Sequence, residues 1–113
     1  EFEQVVLNLL SNSRYALAEK KRVESNFEPT VNIALSRKDD RICLAIEDNG
    51  GGIEPLAEEN IFEPFFTTKP VGQGTGLGLS ISRQLMLKFD GDLVLINSPG
   101  QGARFEILLP GGL

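Results

Sequence analysis

The fold is decided by residues 42–52, which read ICLAIEDNGGG. Apolar Ile42, Leu44 and Ile46 alternate with other residue types, which is the period of a β-strand with one face toward a core. The strand runs into Asp48 and three glycines, where regular structure must stop. This order predicts a strand that ends in an acidic side chain, followed by a loop whose glycines can adopt backbone conformations that other residues rarely adopt.

Helical spacing or alternation of apolar residues predicts further elements on both sides of this strand. They comprise a helix over residues 2–20, a half-buried hairpin partner strand at 31–36, a helix at about 79–89, and strands at 93–96 and 105–109. The order is typical of an α+β fold, a two-layer α/β sandwich with a mixed, mainly antiparallel sheet and helices on one face.

Composition bounds the function of the chain. Its 113 residues fit one domain, and a net charge of -5 counts against nucleic-acid binding through bulk electrostatics. The absence of histidine excludes His-dependent acid–base catalysis, Ser-His-Asp and Cys-His sites and ordinary zinc sites. A single cysteine makes a reducing, cytoplasmic compartment the expectation. Without an initiator Met, we expect a domain of a longer protein, and a parent anchored in the inner membrane is one alternative.

Two glycine clusters flank a long segment, residues 54–73, that has little periodicity. The second cluster, residues 74–78 (GTGLG), opens a predicted helix, where backbone N–H groups and the helix dipole favour phosphate. The chain has no Gly-Lys pair, which excludes a P-loop lysine, and the glycine spacing does not match the dinucleotide fingerprint. Each glycine alone is also compatible with ordinary turn chemistry.

Two asparagines and one aspartate complete the candidate site. Asn8 and Asn12 share one helix face, and amide oxygens suit Mg²⁺ when phosphates complete the shell, although satisfied surface amides are the alternative. Two interpretations of Asp48 are open. It forms a turn, or its carboxylate accepts hydrogen bonds from the exocyclic amine of a base.

Together these segments resemble the catalytic and ATP-binding domain of bacterial two-component sensor histidine kinases. Residues 3–12 (EQVVLNLLSN) resemble its N box, 48–53 (DNGGGI) its G1 box, 62–69 (FEPFFTTK) its F box and 74–80 (GTGLGLS) its G2 box. Residues 102–110 resemble the closing strand. The resemblance covers nearly the whole chain in order, and it implies the Bergerat fold, which type II topoisomerases and mismatch-repair ATPases share.

The resemblance implies ATP and Mg²⁺ as ligands. It implies that Asn12 chelates Mg²⁺ with Asn8 assisting, that Asp48 accepts from the adenine amino group, and that residues 54–73 form a lid over ATP. Lys69 is implied to approach the β- or γ-phosphate, or it is a solvated loop lysine. The further implied ATP contacts are Gly50, Gly52, Ile53, Phe62, Phe66, Thr67, Gly74, Thr75, Gly76, Leu77 and Gly78.

The resemblance also implies transfer of the γ-phosphoryl to a histidine. Because the chain has no histidine, the acceptor must lie on a separate dimerisation domain of the parent protein, which is expected to be a homodimer. A response regulator is an indirect partner. Topoisomerase and mismatch-repair relatives carry a water-activating Glu at the position of Asn8; an amide cannot be a general base, which favours transfer over hydrolysis.

Some positions depart from the family pattern. Ser13 stands where the family usually has Ala, and Tyr15 and Ala16 occupy places where many members have a basic and an aromatic residue. The short run over residues 69–74 resembles the nitrogen-regulation and dicarboxylate-sensing subgroup. The strand that normally precedes the N box is not in the sequence, so an exposed sheet edge is expected.

Two other classes of protein stay open. One is a degenerate module that docks partners and binds nucleotide without turnover. The other is a protein-serine kinase of the same fold that inhibits sigma factors. Transfer to a histidine or a serine acceptor discriminates among the three.

The composition of residues 54–73 also predicts low local stability of that segment.

Overall fold

Two long helices lie over a four-stranded sheet in the computed structural model, which describes residues 2–64, 66 and 78–111. The elements are α1 (Phe2–Val23), β1 (Val31–Lys38), β2 (Arg41–Asp48), α2 (Pro55–Glu58), α3 (Gly78–Lys88), β3 (Asp92–Ser98) and β4 (Gly102–Pro110). The expected α+β architecture is confirmed. The predicted elements are all present, and α1 continues past its predicted end at residue 20 to Val23.

The strand order in the sheet is β1-β2-β4-β3, and the three described strand pairs are all antiparallel. One row of directly opposite residues runs across the four strands through Ile33, Ile46, Phe105 and Leu95. Opposite residues of an antiparallel pair project from the same face. Ile46 and Phe105 are buried, so this row marks the inner face of the sheet.

The core lies between this inner face and the two long helices. α1 packs against α3 and β2, and α3 packs against β3 and β4. Apolar side chains from all these elements form one buried cluster, composed of Val5, Leu9, Ile46, Ile61, Met86, Leu93, Ala103, Phe105 and Ile107. Because both helices meet this single cluster, the helix ends are held at fixed positions relative to the ends of β2 and β3.

β1 corrects one sequence prediction. Its alternation predicts a half-buried strand, yet all eight of its residues are exposed, Ile33 by 58% and Leu35 by 73%. β1 is an edge strand paired only with β2, and within the described residues neither long helix packs over it. The prediction of burial is therefore wrong for this strand.

The outer face of the sheet carries a group of ion pairs. Glu106 is buried, and its carboxylate accepts a 2.8 Å hydrogen bond from Arg104 Nε and lies 3.6 Å from Lys38 Nζ. The hydrogen bond from Arg104, followed by the charge of Lys38, holds the pKa of the Glu106 carboxyl below its ordinary value despite the opposing effect of burial. This face is thus stabilised by charge pairing, while the inner face is stabilised by apolar contact.

The first part of the segment 54–73 is anchored to the core. Ala57 of α2 and Ile61 are buried, and Phe62 packs edge-to-face on Phe105 with ring centroids 6.5 Å apart. These contacts hold α2 and the turn that follows it against the sheet. Across the described part of the chain, none of the helices has both the length and the apolar character required to cross a bilayer.

Candidate functional site

Asp48 occupies the carboxyl end of β2 and is 95% buried, since its residual exposure is 5%. One of its carboxylate oxygens, Oδ1, accepts a 2.9 Å hydrogen bond from the backbone N–H of Gly50. This bond closes a tight turn and fixes the orientation of the carboxylate. The second oxygen, Oδ2, is thereby directed away from the turn as an acceptor of defined position.

The glycines after Asp48 are required by close approach. A Cβ atom at Gly50 would lie 3.0 Å from Ala16 Cβ and 3.0 Å from Asp48 Oδ1. Gly52 has a φ of +73°, and a Cβ there would lie 2.8 Å from the carbonyl oxygen of Ser98. A side chain at either position would push the loop off α1 or off the β3–β4 hairpin, so the glycines keep the loop pressed against both.

The loop that follows β2 is also tied down by polar contacts that the sequence did not predict. Lys20 of α1 donates to the carbonyl oxygens of Asn49 (3.3 Å) and Gly100 (3.2 Å). The N–H of Gly100 donates to the Gly51 carbonyl over 2.7 Å. Asn49 accepts from Thr30 N–H at 2.8 Å. The only sequence signal for Lys20 was a basic residue near the helix end, which is common for reasons of the helix dipole alone.

Asn8 lies at the amino-terminal end of α3. Its Nδ2 donates to the hydroxyl of Ser82 at 3.0 Å and approaches the Gly78 carbonyl at 3.4 Å. Because the amide nitrogen bonds to α3, the amide oxygen Oδ1 points to the other side. The first turn of α3 contains no acidic residue, so the partial positive charge at this helix end is not neutralised locally.

Asn8, Asn12 and Ala16 form a row along one face of α1, each one turn from the next. Asn8 contacts α3, and Ala16 would meet a Cβ at Gly50, so Asn12 lies between the α3 end and the Asp48 loop. At a rise of about 1.5 Å per residue, the row spans about 12 Å. The structure therefore brings Asn8, Asn12, Asp48, Gly50 and Gly78 around one side of α1.

Three further predicted residues lie at the edge of this arrangement. Ile53, Phe62 and Phe66 all pack, partly buried, against the core cluster. Arg83 of α3 stands over the Phe62 ring, its Cζ 5.0 Å from the ring centroid, which adds a cation–π contact. The remaining predicted residues lie outside the described part of the chain; they are Thr67, Lys69, Gly74, Thr75, Gly76 and Leu77.

The residues present fit a Mg²⁺–nucleotide ligand. A buried carboxylate with one oxygen engaged by Gly50 is a fixed acceptor for an amino group of a base. The amide oxygens of Asn8 and Asn12 are hard, neutral donors of the kind Mg²⁺ accepts beside phosphates. The helix end at Gly78 favours anions. These features place a buried carboxylate at one end of the Asn8–Asn12–Ala16 row and the amino-terminal end of α3 at the other.

The comparison with known families identifies the family of the chain. Residues 1–112 match the family described as histidine kinase-, DNA gyrase B-, and HSP90-like ATPase. The chain belongs to this family, which confirms the resemblance identified from the four sequence segments.

Curated relatives extend over nearly the whole chain. It is 47% identical over 110 residues to the two-component sensor PprA of Pseudomonas aeruginosa, covering 97% of this chain and 12% of the relative. It is 36% identical over 108 residues to the signal transduction histidine-protein kinase AtoS of Escherichia coli, covering 96% and 16% respectively. A third relative, the sensor kinase CckA of Brucella abortus, is 39% identical over 117 residues, covering 97% and 12%. The chain thus spans less than a fifth of the length of these three relatives.

Proposed function

We propose that this chain is the ATP- and Mg²⁺-binding catalytic domain of a two-component sensor histidine kinase. In this proposal it transfers the γ-phosphoryl of ATP to a histidine on a separate dimerisation domain of the same parent protein. The observation that carries the proposal is the row Asn8–Asn12–Ala16 on α1, which connects the Asp48 loop to the positive end of α3. Relatives named as sensor kinases support the reaction class.

Asp48 is the proposed base-reading residue. Its Oδ1 is engaged by Gly50 N–H, so Oδ2 is the atom that accepts from the 6-amino group of adenine. A guanine would present a carbonyl oxygen at that position and would meet a carboxylate oxygen, acceptor against acceptor. Gly50, Gly52 and Ile53 belong to the same loop, and the first two let that loop pack closely against α1 and the β3–β4 hairpin, which fixes it beside Asp48.

The phosphates are assigned to the amino-terminal end of α3. Gly78 begins α3, and the segment before it supplies Gly74, Thr75, Gly76 and Leu77 as further proposed contacts. Asn12 and Asn8 present amide oxygens for Mg²⁺, which when bound neutralises developing charge on the phosphates. The bond from Asn8 Nδ2 to Ser82 supports this because it engages the nitrogen end of that amide and not the oxygen end.

Catalysis by these residues is mainly positioning. Asn8 is an amide and takes no proton, so the chain offers no general base at that position for activating water. Lys69 is the proposed cation at the β- or γ-phosphate. Phe62, Phe65 and Phe66 are proposed to fix the lid segment over the nucleotide, and Thr67 is a proposed nucleotide contact. The incoming histidine imidazole is itself a nucleophile, and holding it in line with the γ-phosphorus is the main requirement.

The acceptor must come from another polypeptide segment, since the chain has no histidine. A homodimeric parent supplies that histidine from its dimerisation domain, and a response regulator then receives the phosphoryl group. We further propose that the domain works in the cytoplasm, where ATP and response regulators are available. The short run between Lys69 and Gly74 supports the nitrogen-regulation and dicarboxylate-sensing subgroup.

The proposal is tested by supplying the acceptor. The chain is incubated with γ-labelled ATP, Mg²⁺ and a separately purified dimerisation domain that carries the helical histidine, and acid-labile label on that domain is measured. A serine-bearing anti-sigma substrate is offered in parallel. Label on the histidine domain that is lost on His→Ala substitution there supports the proposal.

Two variants and two outcomes sharpen this test. Asn12→Ala should abolish transfer and weaken Mg²⁺-dependent binding, whereas Gln4→Ala, an exposed change on the same helix, should leave transfer intact. Label on serine alone would assign the chain to the anti-sigma kinases. Saturable nucleotide binding with no transfer to either acceptor would instead favour a docking module.

A further inference from the structure

Asn97, the penultimate residue of β3, makes three hydrogen bonds with its side-chain amide. Its Oδ1 accepts from the backbone N–H of Ile53 at 2.9 Å, and its Nδ2 donates to the Ile53 carbonyl at 2.5 Å. The same nitrogen donates to Glu58 Oε1 at 2.9 Å. The orientation of the amide is fixed, because an N–H donor faces one end and two oxygens face the other.

These bonds connect two segments that have different proposed roles in the nucleotide site. Ile53 ends the loop that begins at Asp48, and Glu58 is the last residue of α2, at the start of the segment proposed as the lid. Gly52, immediately before Ile53, is pressed against the Ser98 carbonyl, so the loop meets β3 at two adjacent residues. One amide side chain on the rigid sheet thus holds both the base-binding loop and α2.

We propose that Asn97 is a positioning residue of the nucleotide site, which fixes Ile53 for base binding and couples that loop to α2 through Glu58. This inference rests on the proposed function, because it concerns the same nucleotide site. Asn97 does not touch the reacting atoms. By holding Ile53 in one conformation, Asn97 raises the fraction of molecules whose loop is ready to bind nucleotide. This lowers the apparent dissociation constant for the nucleotide.

The near-isosteric change Asn97→Asp tests this. The new side chain keeps an oxygen for Ile53 N–H, but its second oxygen replaces the donor that faces the Ile53 carbonyl and the Glu58 carboxylate. We expect the dissociation constant of a non-hydrolysable ATP analogue, measured by titration calorimetry, to rise about tenfold or more. Amide exchange at Ile53 and residues 55–58 should accelerate, while exchange in the core strand β4 stays unchanged.

A second substitution, at Glu58, distinguishes a positioning role of Asn97 from general destabilisation of the fold. Glu58→Gln alone keeps an acceptor oxygen for Asn97 Nδ2 and should change binding by less than about threefold. Combined with Asn97→Asp, it supplies an amide donor to the new carboxylate but leaves the Ile53 carbonyl facing an oxygen, so it should restore part of the lost affinity. Asn32→Asp, which adds the same charge on exposed β1, is the matched control and should bind as the unsubstituted chain does.

The possible results distinguish failure of the positioning role from failure of the proposed function. Unchanged affinity in Asn97→Asp, or no recovery in the double variant, overturns the positioning role while leaving the proposed function intact. No binding by the unsubstituted, folded chain overturns the proposed function and this inference with it. Should Asn97→Asp fail to fold, Glu58→Ala removes only the exposed arm of the contact, and unaltered exchange at residues 55–58 in that variant refutes the coupling to α2.

Discussion

Changing Asp48 to Asn should convert the base preference of the site without unfolding the domain. Gly50 N–H requires an acceptor at 2.9 Å, so the new amide must direct its oxygen to Gly50 and its nitrogen toward the base. The atom that faces the ligand thereby changes from an acceptor to a donor. The 6-amino group of adenine then meets a second donor, whereas the 6-oxo group of hypoxanthine meets a partner.

The magnitude follows from the burial of this carboxylate. Loss of a hydrogen bond to a charged group costs about 1.5–3 kcal/mol, and leaving the adenine amine against an unmatched donor adds about 1–3 kcal/mol. Because Asp48 is only 5% exposed, water does not compensate for the mismatch. The sum of about 2.5–6 kcal/mol corresponds to a loss of about 10²- to 10⁴-fold in affinity for an ATP analogue.

The assay is calorimetric titration of the unsubstituted chain and Asp48→Asn with ATP and ITP analogues in the presence of Mg²⁺. We expect ATP to bind better than ITP to the unsubstituted chain and the order to reverse in the variant. Asp40→Asn, in the exposed β1–β2 turn, controls for the change in net charge. An ATP dissociation constant within threefold of the original, or equal loss for both nucleotides, would refute this account of base reading.

Three further predictions concern stability. Because pairing with Arg104 lowers the folded-state pKa of Glu106 below its reference value of 4.5, this pair stabilises the protein above pH 4.5, and the contribution is lost as pH falls through the folded-state pKa. Glu106→Gln should therefore flatten the decline of the urea midpoint between pH 5 and pH 3. Gly102→Ala should prevent folding, as judged by circular dichroism, because its φ is +135° and the new methyl group would lie 2.0 Å from the Asp48 carbonyl oxygen. Met86→Ala should lower the free energy of unfolding in urea by about 2–5 kcal/mol, since this side chain is fully buried in the core and leaves a cavity.

Much of the fold follows from local patterns. The alternation over residues 42–46 correctly indicated β2, and the helical spacing of apolar residues correctly indicated α1, of which Val5, Leu9 and Leu17 are buried. These predictions succeeded because the period of a strand or helix is set by backbone geometry, which does not depend on distant residues. The same alternation failed for β1, because burial of a strand depends on whether another element packs over it, and alternation carries no information about that.

The candidate site was predicted less completely, for a related reason. The position of Asp48 and the glycines directly after a strand indicated a functional role, but no sequence pattern indicated one for Lys20 or Asn97. Lys20 bonds to Gly100, eighty residues away, and Asn97 to Ile53, forty-four residues away. Lysine near a helix end and asparagine near a strand end are ordinary residues at such positions. Only tertiary structure shows that each bonds to a loop backbone that it does not adjoin in sequence.

α1 explains how an acidic chain can accommodate a polyanion. The net charge of -5 repels phosphate at long range, so affinity must come from groups at contact distance. α1 supplies the geometry for this, since Asn8 fixes the position of α3, whose first turn carries no acidic residue, and Ala16 is small enough for the Gly50 loop to approach. A larger side chain at Ala16 would displace the loop, and loss of the Asn8 amide would release its hold on α3. The face of one helix therefore sets the distance between the two halves of the site.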